Sequence, residues 1–430
     1  MNIVVLCPHF APDMAPTGEV ISAITLRLAA RGHRLHVVTS LPWYRHHATE
    51  PGWDGQLVRH EDTNWGRITR VHPFPTDKTN IPARALAFGG FTLLSVIEGV
   101  LTSARPDVVL AMSPPITLGA AGWAVARARR APFVFNIQDV FPDVAVDLGL
   151  LTNKRAIAAA RRLEVTTYRH ADAVTVLSDE LAANVRAKLA GVVPAHRLTE
   201  AVDRVHVIPN FVDTSAISPQ PAPGGAGYRS QYGLGDRTVV MYAGNVGLSQ
   251  SLDQMLHAAR TMAHRTDVVF VINGGGSARQ SLMASAAGLD NVVFVDMQPR
   301  HRLPEVLAAG DVHAVPLRTG LAASSVPSKL YSILAAGRPI VASVDPGTEV
   351  QRTVEAAGAG LAVPPDDPEA FTHAVGALVD DPIRRRAMGA AGRSFVEGWA
   401  SPEAVALAYE QLFGRLIAQR TRYPVGVRRP

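Results

Sequence analysis

Along the chain, short runs of apolar and β-branched residues alternate with longer amphipathic stretches. This alternation predicts parallel α/β layering, with strands buried on both faces and helices crossing between them. In the first half, strands are expected at 3–6, 34–39, 67–71, 108–111, 133–137, 173–177 and 205–208, with helices at 18–31, 116–130 and 155–170. A Pro- and Gly-rich stretch, Ser218 to Gly227, reads as loop or linker. The pattern then restarts, with strands expected at 238–243, 268–273, 292–295, 312–316, 340–343 and 360–363. Each half opens on a strand, a Gly-bearing loop and a long helix, although no repeat is visible at the residue level. The expected division is a Rossmann-like domain over 1–212, a linker over 213–237, a second Rossmann-like domain over 238–400, a last helix over 401–420 and a basic tail over 421–430.

Length and composition fit that division. A chain of 430 residues suits two domains of about 200 each. One cysteine, Cys7, excludes a disulfide framework and any zinc site built on cysteines, and its apolar strand makes it inert core. No targeting leader and no membrane-spanning run is expected. The nearest candidate, 85–101, contains Glu98 and three glycines and reads as a crossover helix rather than a membrane-surface one. The net charge of +5 is modest, and no basic-aromatic module suggests nucleic acid. Arginines cluster at 127–130, 155 and 161–162, usually a solubility feature and less often an anionic-surface contact.

Three groups of loops at expected strand ends can carry chemistry. After strand one, Pro8 to Glu19 lacks the dinucleotide fingerprint but places Gly18 at a helix start, where backbone can approach a phosphate or sugar. Shaping the turn is the plainer role for that glycine. In the second half, Gly244-Asn245-Val246-Gly247 with Ser249 follows one strand, and Gly274-Gly275-Gly276 follows another. Then Ser324-Ser325-Val326-Pro327-Ser328-Lys329 leads into a short helix that Gly337 should end and Pro339 should keep ended. A lysine in a first helical turn opposes the helix dipole, so an anion is expected there, unless the side chain simply turns to solvent. The third loop begins with Gln138 and Asp139, an amide and an acid able to orient a hydroxyl or steady positive charge; Asp143 is expected to cap the following helix. No D-x-D occurs, so no metal-bridged diphosphate is expected.

Together, these residues resemble a known family. The chain is similar to retaining, metal-independent glycosyltransferases of family four with the GT-B fold, closest to the fucosamine-transferase-like branch of surface polysaccharide assembly. The carriers are the loop from Phe10 to Gly18, Gln138 to Asp143, Val207 to Asp213, Tyr242 to Gly247, and Val326 to Leu330 with Ala335 to Pro339. The resemblance implies two Rossmann-like domains facing across a cleft, with the last helix crossing back to the N-terminal domain. It implies a nucleoside-diphosphate sugar held by the C-terminal domain and a lipid-linked or glycan acceptor held by the N-terminal one. Gln138 and Asp139 are the catalytic candidates. Gly18, Gly244, Asn245, Gly247, Ser249, Gly274, Gly275, Ser325, Lys329 and Ser332 are the donor-binding candidates, with Lys329 on the diphosphate and Gly18 near the sugar or its phosphate. No cofactor or metal and no nucleic acid is expected. A cytoplasmic location is expected, with peripheral contact at the inner face of the membrane as a secondary reading.

Two departures bear on this picture. Where many relatives carry two glutamates, this chain has Ser324 and Ser332; where many carry Arg and Lys after the first strand of the second domain, it has Asn245 and Gln250. They keep open a binding subunit that does not turn over. A nucleotide-sugar epimerase, which shares the architecture, is a further alternative.

Overall fold

A computed structural model describes the chain except residues 14, 45–47, 75–80, 102–103, 144–145, 147–150, 221–224, 248, 321–328 and 423–430; of 81–85 and 421–422 it describes backbone only. Two compact units emerge. One comprises Met1–Asn210 and the chain from Val405 onward, the other Phe211–Ala404.

The first unit is built on eight strands: β1 (Asn2–Leu6), β2 (Arg34–Ser40), β3 (Val58–Thr63), β4 (Gly66–Val71), β5 (Val108–Ser113), β6 (Phe133–Ile137), β7 (Ala173–Val176) and β8 (Val205–Val207). Their order across the sheet is β3-β4-β2-β1-β5-β6-β7-β8. Only β3 runs antiparallel to its neighbour. The helices between them are α1 (Pro16–Ala30), α2 (Ile81–Val100), α3 (Thr117–Arg129), α4 (Lys154–His170), α5 (Asp179–Ala190) and α6 (Ala195–Asp203). Strand β5 is buried along its whole length, as a helix-covered parallel strand must be. Cys7, just past β1, is fully buried, and burial pushes its thiol up to about 12, so it stays protonated. Edge strand β3 was not among the predicted strands: its sequence, Val58-Arg59-His60-Glu61-Asp62-Thr63, is almost wholly polar.

The second unit has six parallel strands: β9 (Thr238–Ala243), β10 (Val268–Asn273), β11 (Val292–Val295), β12 (Val312–Pro316), β13 (Ile340–Ser343) and β14 (Gly360–Val363). They lie in the order β11-β10-β9-β12-β13-β14. Helices α7 (Ala226–Gln231), α8 (Asp253–Thr261), α9 (Arg279–Ser285), α10 (Leu303–Ala309), α11 (Lys329–Ala335), α12 (Glu349–Ala356), α13 (Pro368–Val379) and α14 (Pro382–Trp399) complete the unit. Strand β9 pairs with β10 on one side and β12 on the other, so the winding reverses there. Such a reversal leaves a crevice at the carboxyl ends of the strands, where ligands of open α/β sheets bind. Of the expected helix, α11 is described from Lys329, and it stops as predicted just before Gly337, whose φ of 67° is left-handed; Pro327, expected in its first turn, lies outside the described residues.

The last helix, α15 (Pro402–Arg422), joins the first unit from Val405 on. Tyr409, 1% exposed, accepts a hydrogen bond from Asn136 Nδ2 of β6 (2.8 Å), and its hydroxyl lies 3.2 Å from that of Thr175 in β7. Glu410 pairs with Arg31 and with His33 (2.9 Å) at the end of α1.

Candidate active site

In the second unit, the loops after β9 and β10 lie back to back. Gly244 N–H donates to Asn273 O (2.9 Å), Val246 N–H to Gly275 O (2.8 Å) and Ala278 N–H to Val246 O (3.0 Å). A Cβ on Gly274 would lie 1.8 Å from Gly244 O, so no other residue fits. Gly274 therefore serves loop-on-loop packing first. Gly275, by contrast, has open space where a side chain would be.

Lys329 reaches this pair of loops from the start of α11. Its Nζ donates to Tyr242 Oη (2.8 Å) and sits 4.0 Å above that ring's centroid. The Tyr242 hydroxyl in turn donates to Asn245 O, which fixes the loop crest. A Cβ on Gly244 would come within 3.0 Å of Nζ, so this glycine makes room for the ammonium. Lys329 does not turn to solvent: burial pulls its pKa down from 10.5 to about 8, and no carboxylate partners it among the described residues. A desolvated cation without a counter-charge is a site waiting for an anion.

The other donor-binding candidates lie around this point or fall outside the description. Asn245 is exposed on the crest, and Gly247 N–H is held by Gln250 Oε1 (3.0 Å). Ser249 Oγ accepts from Gln250 Nε2 (2.9 Å), and its carbonyl accepts from Arg318 N–H (3.1 Å). Ser332 follows Lys329 by three residues on α11. Ser324 and Ser325 lie outside the described residues. Asp366 was missed in the sequence: it accepts from Ser251 Oγ (2.6 Å) and from Thr319 N–H and Oγ1 (both 3.0 Å), tying the loops after β9, β12 and β14 together. No local motif marked it, because its partners come from distant loops.

In the first unit, the loop after β1 folds over the start of α1. A Cβ on Gly18 would sit 2.9 Å from His9 Cβ, so this glycine admits the loop's own side chain. Asp13, 2% exposed, binds His9 Nδ1 through Oδ2 (2.7 Å) and accepts Tyr44 N–H through Oδ1 (3.1 Å). The carboxylate thus orients the His9 ring, with Nδ1 donating to Oδ2. Trp43 stacks on His9 at 5.6 Å and Tyr44 meets it edge-on at 5.3 Å. The sequence reading passed over this dyad, although a His and an Asp four apart between two prolines were visible. Arg70, 1% exposed, braces the loop by donating to Ala11 O (2.6 Å) while paired with Glu61 (2.9 Å).

Gln138 and Asp139 follow β6, and only one of them is available. Gln138, 8% exposed, gives its amide to Asn136 Oδ1 (2.8 Å) and so belongs to the buried Asn136–Tyr409 network. Asp139 is exposed but partly desolvated, which raises its carboxyl pKa. Asp143, expected as a helix cap, bonds Lys188 (2.7 Å) and Asn184 (3.3 Å). Among the described residues, no group of three or more His, Cys, Asp or Glu is placed to hold a metal ion.

Known proteins match both units. Residues 17–210 match the glycosyl transferase 4-like domain, and residues 237–381 match the glycosyl transferases group 1 family. A GDP-mannose-dependent alpha-(1-6)-phosphatidylinositol monomannoside mannosyltransferase of Mycolicibacterium smegmatis is 31% identical over 69% of this chain and 81% of its own. WcaI of Escherichia coli, a glycosyl transferase named for colanic acid biosynthesis, is 25% identical over 87% of this chain and 91% of its own. Among solved structures, Anabaena HepE in complex with UDP shares the fold, with a TM-score of 0.60 at 14% identity over 96% of this chain and all of that one. From the double Rossmann-like architecture and these matches together, the chain belongs to the family-four glycosyltransferases of GT-B fold.

Proposed function

We propose that this glycosyltransferase moves a sugar from a nucleoside-diphosphate donor, bound by the Phe211–Ala404 unit, to a lipid-linked or cell-surface glycan acceptor bound by the other unit, with retention of configuration. The observation that carries the donor assignment is Lys329, a part-buried ammonium with no carboxylate partner among the described residues, at the winding reversal of the second sheet. As the bond from the anomeric carbon to the diphosphate breaks, negative charge grows on the leaving oxygen. An ammonium already desolvated beside it stabilises that charge without reorganising water. In this reading Lys329 supplies the cation, and no metal is required.

On the acceptor side, His9 Nε2, held by Asp13, is suited to receive a hydrogen bond from an acceptor hydroxyl. Asp139 is the exposed carboxylate available to steady the electron-poor sugar carbon. The acceptor class is supported by relatives named for a phosphatidylinositol mannoside and for colanic acid. Placement in the fucosamine-transferase-like branch, and a cytoplasmic site of action at the membrane's inner face, belong to the same proposal. Ser332, where many relatives have glutamate, favours a second reading: a subunit that binds donor without turning it over.

A panel of UDP- and GDP-sugars, scored for hydrolysis and for transfer to lipid extracts, tests both. The transferase reading expects turnover that falls at least tenfold in Lys329→Ala. Full activity in that variant defeats the diphosphate assignment, and tight donor binding with no turnover on any acceptor favours the second reading.

A further inference from the structure

Helix α2 is already satisfied on its inner side. Phe91 and Ser95 are buried, Thr92 Oγ1 donates to Thr117 Oγ1 of α3 (2.8 Å), and a Cβ on Gly99 would meet Val125 of α3 at 2.8 Å. Nonetheless, its outer side is apolar. Leu86 is 79% exposed, Leu93 61%, Ile97 42%, and Leu101, just past its end, 70%. Steps of seven, four and four put all four on one helical face. None of them is needed by the core.

Helix α3 runs alongside in parallel, as the pairs Thr92–Thr117 and Gly99–Val125 require. It exposes Trp123, Arg127 and Arg130. At its end Arg129 donates to Ala104 O (3.1 Å), which brings the arginine cluster beside Leu101. Exposed Arg105 adds another cation at the same end. The two helices contain one acid, Glu98, and it turns to His60 (4.0 Å). The outward surface is therefore apolar with a rim of cations and no opposing carboxylate among the described residues of α2 and α3.

We propose that this α2–α3 face docks on an anionic lipid bilayer, with Leu86, Leu93, Ile97 and Leu101 entering the interface and the arginines meeting lipid phosphates. No described helix is long and apolar enough to cross a membrane, so the contact is peripheral. A helix lying in the interface uses this combination: an apolar stripe at the acyl boundary, a tryptophan at headgroup depth and cations for the phosphates. A protein partner would have to offer acids to the arginines and an apolar groove to the leucines; an anionic bilayer offers both along its whole surface. The proposal deepens the lipid-linked-acceptor reading and rests on it for its purpose, but not for its chemistry, because docking involves no donor.

The test is co-sedimentation of the full chain with vesicles of phosphatidylcholine alone and of phosphatidylcholine with phosphatidylglycerol. Binding is expected to the anionic vesicles and to weaken as salt is raised. The double variant Leu93→Glu with Ile97→Glu should lose it. Arg127→Glu with Arg130→Glu should weaken it roughly tenfold or more, since each cation near an anionic surface contributes about fivefold. Ile383→Glu, at a leucine-sized exposed site in the other unit, should bind as wild type. Thermal melts and the stabilisation by UDP or GDP report whether each variant is folded. Wild-type protein that ignores anionic vesicles, or Leu93→Glu with Ile97→Glu that binds them fully, overturns the proposal. A wild-type dimer that the same double variant dissolves also overturns it, by giving the face to a second copy. Vesicle binding without any nucleotide stabilisation would defeat the donor reading and leave this one standing.

Discussion

Replacing Lys329 by Met keeps the apolar stem and removes the charge. The drop in pKa from 10.5 to about 8 corresponds to on the order of 3 kcal/mol carried by the protonated form in the unliganded protein. Losing the contact with the Tyr242 ring and hydroxyl offsets part of this, by about 1–2 kcal/mol. The ligand-free variant should therefore be more stable than wild type by about 1–2 kcal/mol, a rise in Tm of roughly 2–8 °C. With UDP or GDP present the order should reverse. Wild type gains about 2.7 kcal/mol at a hundredfold excess over Kd, while the variant, on the proposed donor assignment, loses the Lys329 contact to the diphosphate and most of that gain. Differential scanning fluorimetry across nucleotide concentration reads both effects. The pH dependence provides a check of sign. The folded pKa lies below the unfolded one, so between about pH 8 and 10.5 the unfolded chain holds a proton that the folded chain has shed. Wild-type stability relative to Lys329→Met should thus recover as pH rises through that window. A ligand-free variant less stable than wild type, with nucleotide stabilisation intact, would refute the reasoning: Lys329 would then be a packing residue.

Three other outcomes follow from the geometry. Gly274→Ala should destabilise the second unit by about 3 kcal/mol or more and abolish nucleotide stabilisation, because backbone rather than a flexible side chain blocks the new methyl; melts with and without UDP check it. Asp13→Asn should leave nucleotide stabilisation unchanged but lower kcat and shift its pH profile, since the amide no longer fixes the His9 ring; an unchanged profile would remove His9 from the mechanism. Tyr409→Phe should cost about 1–3 kcal/mol by leaving buried Asn136 and Thr175 short of a partner, seen as a lower Tm with little change in nucleotide binding.

The parallel strands were legible because strands covered on both faces are written as continuous apolar runs, as Val108–Ser113 is. Strand β3 was not, because an edge strand tolerates Arg59, His60, Glu61 and Asp62 in succession. At the site, sequence located the glycine loops and Lys329, but not what the glycines do. Gly274 and Gly18 looked like open approaches for a ligand, yet each is glycine because another part of the protein occupies the space. Gln138 and Asp139, adjacent in sequence, part ways because one turns inward to Asn136 and the other outward. Asp366 could not be foreseen, since its role exists only once three loops converge.

The path of the chain through its two units has a practical consequence. Phe211–Ala404 is an insertion within the first unit, whose last helix arrives only after it. Its two ends lie side by side: Val212 N–H donates to Ala400 O at 3.0 Å. Adjacent ends are what allow a segment to be cut out and expressed alone, or exchanged for a relative's, without stretching what remains. If that unit binds the donor as proposed, donor preference could be transplanted as one contiguous cassette, whereas the remaining unit would need a short linker from Asn210 to Val405 to keep Tyr409 against Asn136.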